Sequence, residues 1–240
     1  MAKPLSGVIA AIATPIDESG APDLKRTVNL AHYLLDTGCD GLNVLGTTGE
    51  ATSFSVGERK GVMDAYKSNG LPLHRLMVGT GAAAVSDAVA LTLHAAELGF
   101  GGALVLPPFY YKGVSEDGLF RSFAEVIERV GDARLRLYLY HIPPVAQVPI
   151  PLRLVERLLG AYPGIVAGIK DSSGDFENTR ALLALAGSGL DVFVGSERFL
   201  LATLRGGGAG CITATGNVNP AAIVRLHREW RSPGAEAMQA

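Results

Sequence analysis

The chain has 240 residues, 48% of them hydrophobic, and a formal net charge of −2 at pH 7. That length suits a single α/β barrel or two smaller domains, and the apolar fraction supports a sizeable core. The near-neutral charge, with no basic run, argues against a nucleic-acid surface, and no apolar run is long enough to span a bilayer.

The N-terminus Met1-Ala2-Lys3-Pro4 has no extended apolar signal core, so a soluble cytoplasmic protein is expected. From there strand and helix signals alternate. Residues 7–16 are an apolar run stopped at Thr14-Pro15, and residues 24–37 have helical spacing. A second strand is predicted over 40–46, and its helix follows Ser55 and Glu58, which have capping-box spacing. A strand over 73–79 precedes a helix over 86–98. A strand over 102–106, stopped by Pro107-Pro108, precedes a helix over 115–130. A strand over 135–142, stopped by Pro143-Pro144, precedes a helix over 151–162. The sixth strand, 165–172, precedes a helix over 175–186, and the seventh, 191–195, a helix over 197–204. The eighth covers 209–214, with Asn219-Pro220 as cap and first residue of a helix through Trp230. Only the tail from Ser232 reads as loosely ordered or interrupted.

Eight strand–helix units in tandem spell an α/β fold, a (β/α)8 barrel over residues 1–232 with a tail over 233–240. An open doubly wound sheet would want a glycine-rich phosphate turn after its first strand, and none is there. Cys39 and Cys211 lie far apart without metal-ligand spacing and read as small buried apolar residues. Neither a metal nor a cofactor is expected.

The sixth strand, Ile165-Val-Ala-Gly-Ile-Lys170-Asp-Ser172, ends in a lysine. Strand alternation places Val166, Gly168 and Lys170 on one face, with Gly168 leaving room beneath the lysine. An ammonium at the edge of an apolar enclosure is costly to keep charged, which favours the nucleophilic free amine, and such a lysine can form a Schiff base with a carbonyl substrate. The competing reading is a strand-end lysine that snorkels to water.

Barrel active sites lie at the C-terminal ends of the strands. Those ends carry Thr14-Pro15, Gly46-Thr47-Thr48-Gly49-Glu50, Tyr110-Tyr111, Tyr140-His141, Lys170-Asp171, Gly195-Ser196-Glu197 and Thr213 onward. Gly46 to Gly49 offer two hydroxyls and several amides, a cradle for a carboxylate or an ordinary polar turn. Tyr140 shares its face with Tyr138 and Ile142 and points inward, where a phenol can relay a proton or stand as a core tyrosine with a satisfied hydroxyl. His141 and Asp171 have outward parity and read as structural. Glu50 is expected to cap or orient the following loop, with a base in the site as the alternative.

Thr14-Pro15, Gly46-Thr-Thr-Gly-Glu50, Tyr140-x-x-Pro143 and Gly168-Ile-Lys170-Asp171 together resemble the dihydrodipicolinate synthase / N-acetylneuraminate lyase family, in the right order from about Gly7 to Trp230. The resemblance implies that Lys170 forms the Schiff base with pyruvate or another 2-oxo acid. Tyr140 and Thr47 would relay protons, and Thr48 would hold the substrate carboxylate. Tyr110 matches a tyrosine that serves a neighbouring subunit's site, with Tyr111 the alternative. Gly46, Gly49, Thr14, Gly195, Ser196 and Ile212 complete the expected substrate-binding set. A homo-oligomer, dimer or tetramer, is implied, with a small-molecule 2-oxo acid as partner.

Two departures qualify the expectation. Where the synthases carry an arginine two residues after the Tyr-x-x-Pro proline, this chain has Val145, which has neither charge nor paired donors. Gly195-Ser196-Glu197 also differs from the synthase-like Gly-Asp-Asp. Both favour an aldolase of a 2-oxo-3-deoxy sugar acid or related oxo acid, with a dehydratase using the same imine, or the synthase itself, as alternatives. The family also usually continues into a C-terminal helical bundle, whereas this sequence stops at Ala240, so either a piece of a longer chain or a naturally short protein is expected, with 233–240 the start of that helical region. From other classes, a non-catalytic barrel with a 2-oxo-acid pocket remains open. A phosphate-handling barrel is disfavoured, because Gly206-Gly-Gly208 precedes the eighth strand and falls at the wrong end.

Overall fold

The computed structural model describes residues 5–239. Met1 to Pro4, read above for a signal core, and Ala240 of the predicted tail lie outside the described residues. Eight parallel strands close into a barrel in sequence order: β1 (Gly7–Ala11), β2 (Gly41–Val44), β3 (Leu76–Gly79), β4 (Gly102–Val105), β5 (Leu137–His141), β6 (Val166–Asp171), β7 (Asp191–Val194) and β8 (Gly210–Thr213). The barrel helices are α1 (Leu24–Asp36), α2 (Val56–Ser68), α3 (Val85–Leu98), α4 (Glu116–Val130), α6 (Leu152–Ala161), α7 (Phe176–Leu183), α8 (Leu200–Arg205) and α9 (Pro220–Glu229). A short helix α5 (Pro143–Ala146) follows β5, and α10 (Ala235–Gln239) closes the described chain. No helix among the described residues is long and apolar enough to cross a membrane.

The strands are shorter than their apolar runs. Residues 73–75, expected in β3, form a 3-10 turn before it, because apolar content marks burial whereas a strand ends where the ladder does. Pro143-Pro144 ends β5 as expected but also starts α5, since proline fits the first helical turn. Ser55 and Glu58 form the predicted capping box on α2. Asn219 stands at the N-cap of α9 but makes no side-chain cap bond. Of the two readings of the tail from Ser232, the loosely ordered one does not hold. Ala235 is buried and α10 packs on α8 and α9.

Parity and register resolve the barrel interior into three layers of four side chains from alternate strands. The lowest is Ile9, Met77, Tyr138 and Phe193. The middle is Asn43, Leu104, Lys170 and Ile212. The top is Ala11, Gly79, Tyr140 and Gly195. Below, the layers pack as a core. The top layer is nearly empty of side-chain volume except for Tyr140.

Strand β6 departs from simple alternation. Leu137 pairs with Val166 but Tyr138 pairs with Gly168, so Ala167 is an extra residue on β6. Val166 therefore packs outward against the helices and Ala167 inward, contrary to the expected single face of Val166, Gly168 and Lys170. Gly168 is also small for a different reason from the one expected. A Cβ there would lie 2.7 Å from the Tyr138 ring and 2.4 Å from the Asp191 carbonyl oxygen. It makes room for the layer below, not for Lys170. Cys39 and Cys211 are free thiols buried in the shell between barrel and helices, as expected.

Candidate active site

Lys170 is 4% exposed and Tyr140 likewise. Adjacent strands present them side by side, since Tyr140 and Lys170 are register partners. Lys170 Nζ donates to the Tyr140 hydroxyl at 3.2 Å and lies 4.4 Å from the centre of its ring. The same hydroxyl is 3.2 Å from Thr47 Oγ1. An amine, a phenol and an alcohol thus form one chain of hydrogen bonds from the buried strand end to the rim. Snorkelling to water does not describe this lysine.

The loop that carries Thr47 is set by backbone geometry. Leu45, at the end of β2, has φ 54°, a left-handed conformation uncommon for a bulky residue. Its carbonyl occupies the space a Cβ on Gly79 would need, 2.1 Å away. This turn directs Gly46, Thr47 and Thr48 across the mouth. A Cβ on Gly46 would meet the end of the Asn43 side chain, Nδ2, at 2.4 Å, so the glycine leaves the room that this carboxamide fills. Gly49 lies against the Ile12 carbonyl and the Thr14 hydroxyl, and Thr14 Oγ1 donates to the Gly49 carbonyl at 2.8 Å. Thr14 therefore braces the loop from below. Glu50 differs from expectation: it is exposed, has φ 50° and makes no side-chain cap bond. Its backbone N–H, donating to the Thr47 carbonyl at 3.1 Å, closes the turn instead.

On the other flank, the Gly195 N–H donates to the Asp171 carbonyl at 2.7 Å, and a Cβ on Gly195 would strike Ser172 Oγ. Ser196 follows at the rim, accepting from the Arg198 N–H at 3.4 Å. Ile212 is fully buried in the layer of Lys170. Asp171 faces outward and accepts from Ser173 N, Asn178 Nδ2 and Thr179 Oγ1, which ties β6 to α7. His141 also faces outward. Its Nδ1 accepts from the Ile150 N–H at 3.0 Å, and burial holds the imidazole below its ordinary value against a smaller opposing pull from Asp171.

A cavity of about 150 Å³ opens beside Tyr140. Gly46, Thr47, Gly79, Leu104, Phe109 and Val145 are among its lining residues. Val145 projects from α5, 60% exposed, so no cation stands there. Tyr110 and Tyr111 are 70% and 72% exposed, packed edge to face at 5.1 Å. Neither joins Lys170 within the chain, and the two stand alike at the surface. Lys112 pins their loop by donating to the Ala146 carbonyl at 2.8 Å.

Two residues escaped the sequence reading. Asn43, fully buried in the layer of Lys170, has a carboxamide with no hydrogen-bond partner among the described residues. Its only sequence signal is a polar residue between Leu42 and Val44. Arg59, on α2, is buried and donates to the Gly79 and Gly81 carbonyls at 2.8 and 3.2 Å, supporting the end of β3. Burial lowers its guanidinium to about 10, still charged at neutral pH.

The profile of the dihydrodipicolinate synthetase family matches residues 4–239. A DapA-like lyase from Chloroflexus aurantiacus is 38% identical over 221 residues, 92% of this chain and 73% of its own. Among solved structures, the 2-keto 3-deoxygluconate aldolase from Picrophilus torridus superposes with a TM-score of 0.89 at 26% identity, covering 98% of this chain and 83% of that one. A prophage protein of the dihydrodipicolinic acid synthase family from E. coli, in complex with pyruvate, superposes with a TM-score of 0.88 at 29% identity, over 98% of this chain and 79% of that one. By its motifs, its barrel and this match along nearly its whole length, the chain belongs to the dihydrodipicolinate synthetase family, whose members are lyases.

Proposed function

We propose that this protein is a Schiff-base lyase that cleaves or forms a carbon–carbon bond next to a 2-oxo acid, with a 2-oxo-3-deoxy sugar acid as its substrate class. The observation that carries this reading is the buried chain Lys170–Tyr140–Thr47. The solved aldolase neighbour supports the substrate class. So does Val145, which removes the cation a second carboxylate would want.

The Lys170 amine attacks C2 of the oxo acid, and loss of water from the carbinolamine gives an iminium. Tyr140, having given its proton to the departing carbinolamine hydroxyl, takes the C4 hydroxyl proton in the cleavage direction. The C3–C4 bond breaks, its electron pair moves into an enamine, and C4 leaves as an aldehyde. Reprotonation at C3 and addition of water release pyruvate and the free amine. Tyr140, with Thr47 behind it, carries the protons. Thr48 and the amides of the Gly46–Gly49 loop hold the carboxylate, so position and fixed dipoles do much of the catalysis. Thr14 holds that loop, while Gly195, Ser196 and Ile212 line the opposite flank. The catalytic unit is the barrel, residues 1–232. Tyr110, or Tyr111, serves the site of a neighbouring copy in a homo-oligomer, for which their exposure leaves them free.

The test is borohydride trapping with pyruvate, followed by intact and peptide masses. A reduced pyruvyl adduct on Lys170, absent in Lys170→Ala, is expected. No adduct with pyruvate or with longer 2-oxo acids on folded protein overturns the reading. Released pyruvate distinguishes an aldolase from a dehydratase, which would lose water and keep the carbon chain whole.

A further inference from the structure

Helix α10 is remote from Lys170 in sequence, yet its last described side chain enters the backbone ladder beside the site. Gln239 Oε1 accepts from the Leu201 N–H at 2.9 Å, and Gln239 Nε2 donates to the Glu197 carbonyl at 3.1 Å. Glu197 and Leu201 are four residues apart, the pair that an uninterrupted α-helix joins directly. The Glu197 carbonyl accepts from the Leu200 N–H, the bond of the 3-10 turn Glu197–Phe199, and the carboxamide takes its second lone pair while capping the Leu201 N–H, in place of the direct bond at the junction with α8. With its carbonyl held there, Glu197 turns its carboxylate to the barrel, where Oε2 accepts from Thr213 Oγ1 at 2.5 Å. Helix α10 is itself anchored, by buried Ala235 and by the ion pair of Glu236 with Arg205.

We propose that Gln239 is a positioning residue for the substrate-discriminating side of the site. By separating Glu197 from Leu201, it sets the angle at which the turn Gly195-Ser196-Glu197 faces the mouth, next to the strand of Lys170. It thereby governs recognition of the part of the substrate beyond the 2-oxo acid and leaves imine chemistry alone. The inference rests on the functional reading above. Without the carboxamide, the Leu201 N–H and the Glu197 carbonyl bond to each other. Glu197 is then drawn into the first turn of α8, and its carboxylate leaves Thr213.

The experiment is Gln239→Leu in the full chain, which keeps most of the bulk and removes both polar groups. KM for a 2-oxo-3-deoxy sugar acid should rise about tenfold, the effect of losing hydrogen bonds that fix one binding group, with kcat within about threefold. The pyruvate concentration that half-saturates borohydride trapping on Lys170 should change by less than about twofold. A crystal structure of the variant should show the direct Leu201–Glu197 bond and a broken Glu197–Thr213 contact. Gln239→Glu, which retains the acceptor for Leu201 but sets a carboxylate against the Glu197 carbonyl, should give the same split, and it decides the matter if the leucine variant does not fold. An unchanged sugar-acid KM, a parallel loss in both assays, or an unaltered turn overturns the proposal. If the parent protein itself traps no oxo acid, the functional reading fails, and the crystallographic comparison alone then decides the positioning role.

Discussion

Tyr140→Phe isolates the proton relay from everything else that Tyr140 does. The variant keeps the ring, so the contact of Lys170 Nζ with its face, 4.4 Å from the centre, survives. It loses one oxygen, and with it two bonds of 3.2 Å, to Lys170 and to Thr47. Thr47 is exposed and can bond to water. The Lys170 amine is buried and loses its partner. At about 0.5–1.5 kcal/mol for each bond, the expected destabilisation is about 1–3 kcal/mol, and Tm falls about 2–4 °C for each kcal/mol in a chain of this size. Turnover should fall far more, by roughly 10²–10⁴, the usual range for removing a placed acid–base group. Borohydride trapping should still label Lys170, more slowly, because the nucleophile remains. The assay pairs that labelling with pyruvate release from a 2-oxo-3-deoxy sugar acid at matched, folded concentrations. Turnover within about threefold of the parent would show that Tyr140 holds the lysine but moves no proton, and the relay would be refuted.

Gly168→Ala sets a methyl 2.4 Å from the Asp191 carbonyl and 2.7 Å from the Tyr138 ring. It should cost about 1–3 kcal/mol or more in urea unfolding, and an unchanged midpoint would contradict the packing described here. Asn43→Leu replaces a fully buried, unpartnered carboxamide by an apolar side chain of similar shape. It should stabilise the fold by about 1–3 kcal/mol, read as a raised Tm, and a fall in Tm would mean that the amide is paired. For His141, burial lowers the folded value below the ordinary 6.5. The unfolded chain therefore takes up the proton first as pH falls, so this contribution to stability is full above the ordinary value and is lost on going down towards the folded one. His141→Asn, whose side-chain oxygen can replace Nδ1 as acceptor for Ile150, should flatten stability between about pH 7 and about pH 5. Denaturant melts across that range check it, and parallel profiles for parent and variant would refute it.

The order of strands and helices, and the rim on which the chemistry gathers, were legible in the sequence because both follow from local chemistry. Apolar periodicity decides strand or helix, and proline, glycine and capping residues end the elements. Parity along β5 then aims Tyr140 inward and His141 outward, as the structure bears out. Parity failed on β6, where one inserted residue, Ala167, reverses the facing of Val166. A bulge depends on the register with the neighbouring strand, which no single strand records. Gly168 looked like room for Lys170 and proved to be room for Tyr138, because the layers of a barrel join residues far apart in the chain. The tail after Ser232 looked loose because its composition is weak, yet Gln239 finds its partners on α8 and on the 3-10 turn before it. Local sequence thus determined which elements form and which strand ends carry reactive groups. Closure of the barrel alone decided which side chains share a layer, which turn each loop takes and which distant amide enters the ladder, since these depend on the register and packing of segments that meet only when folded.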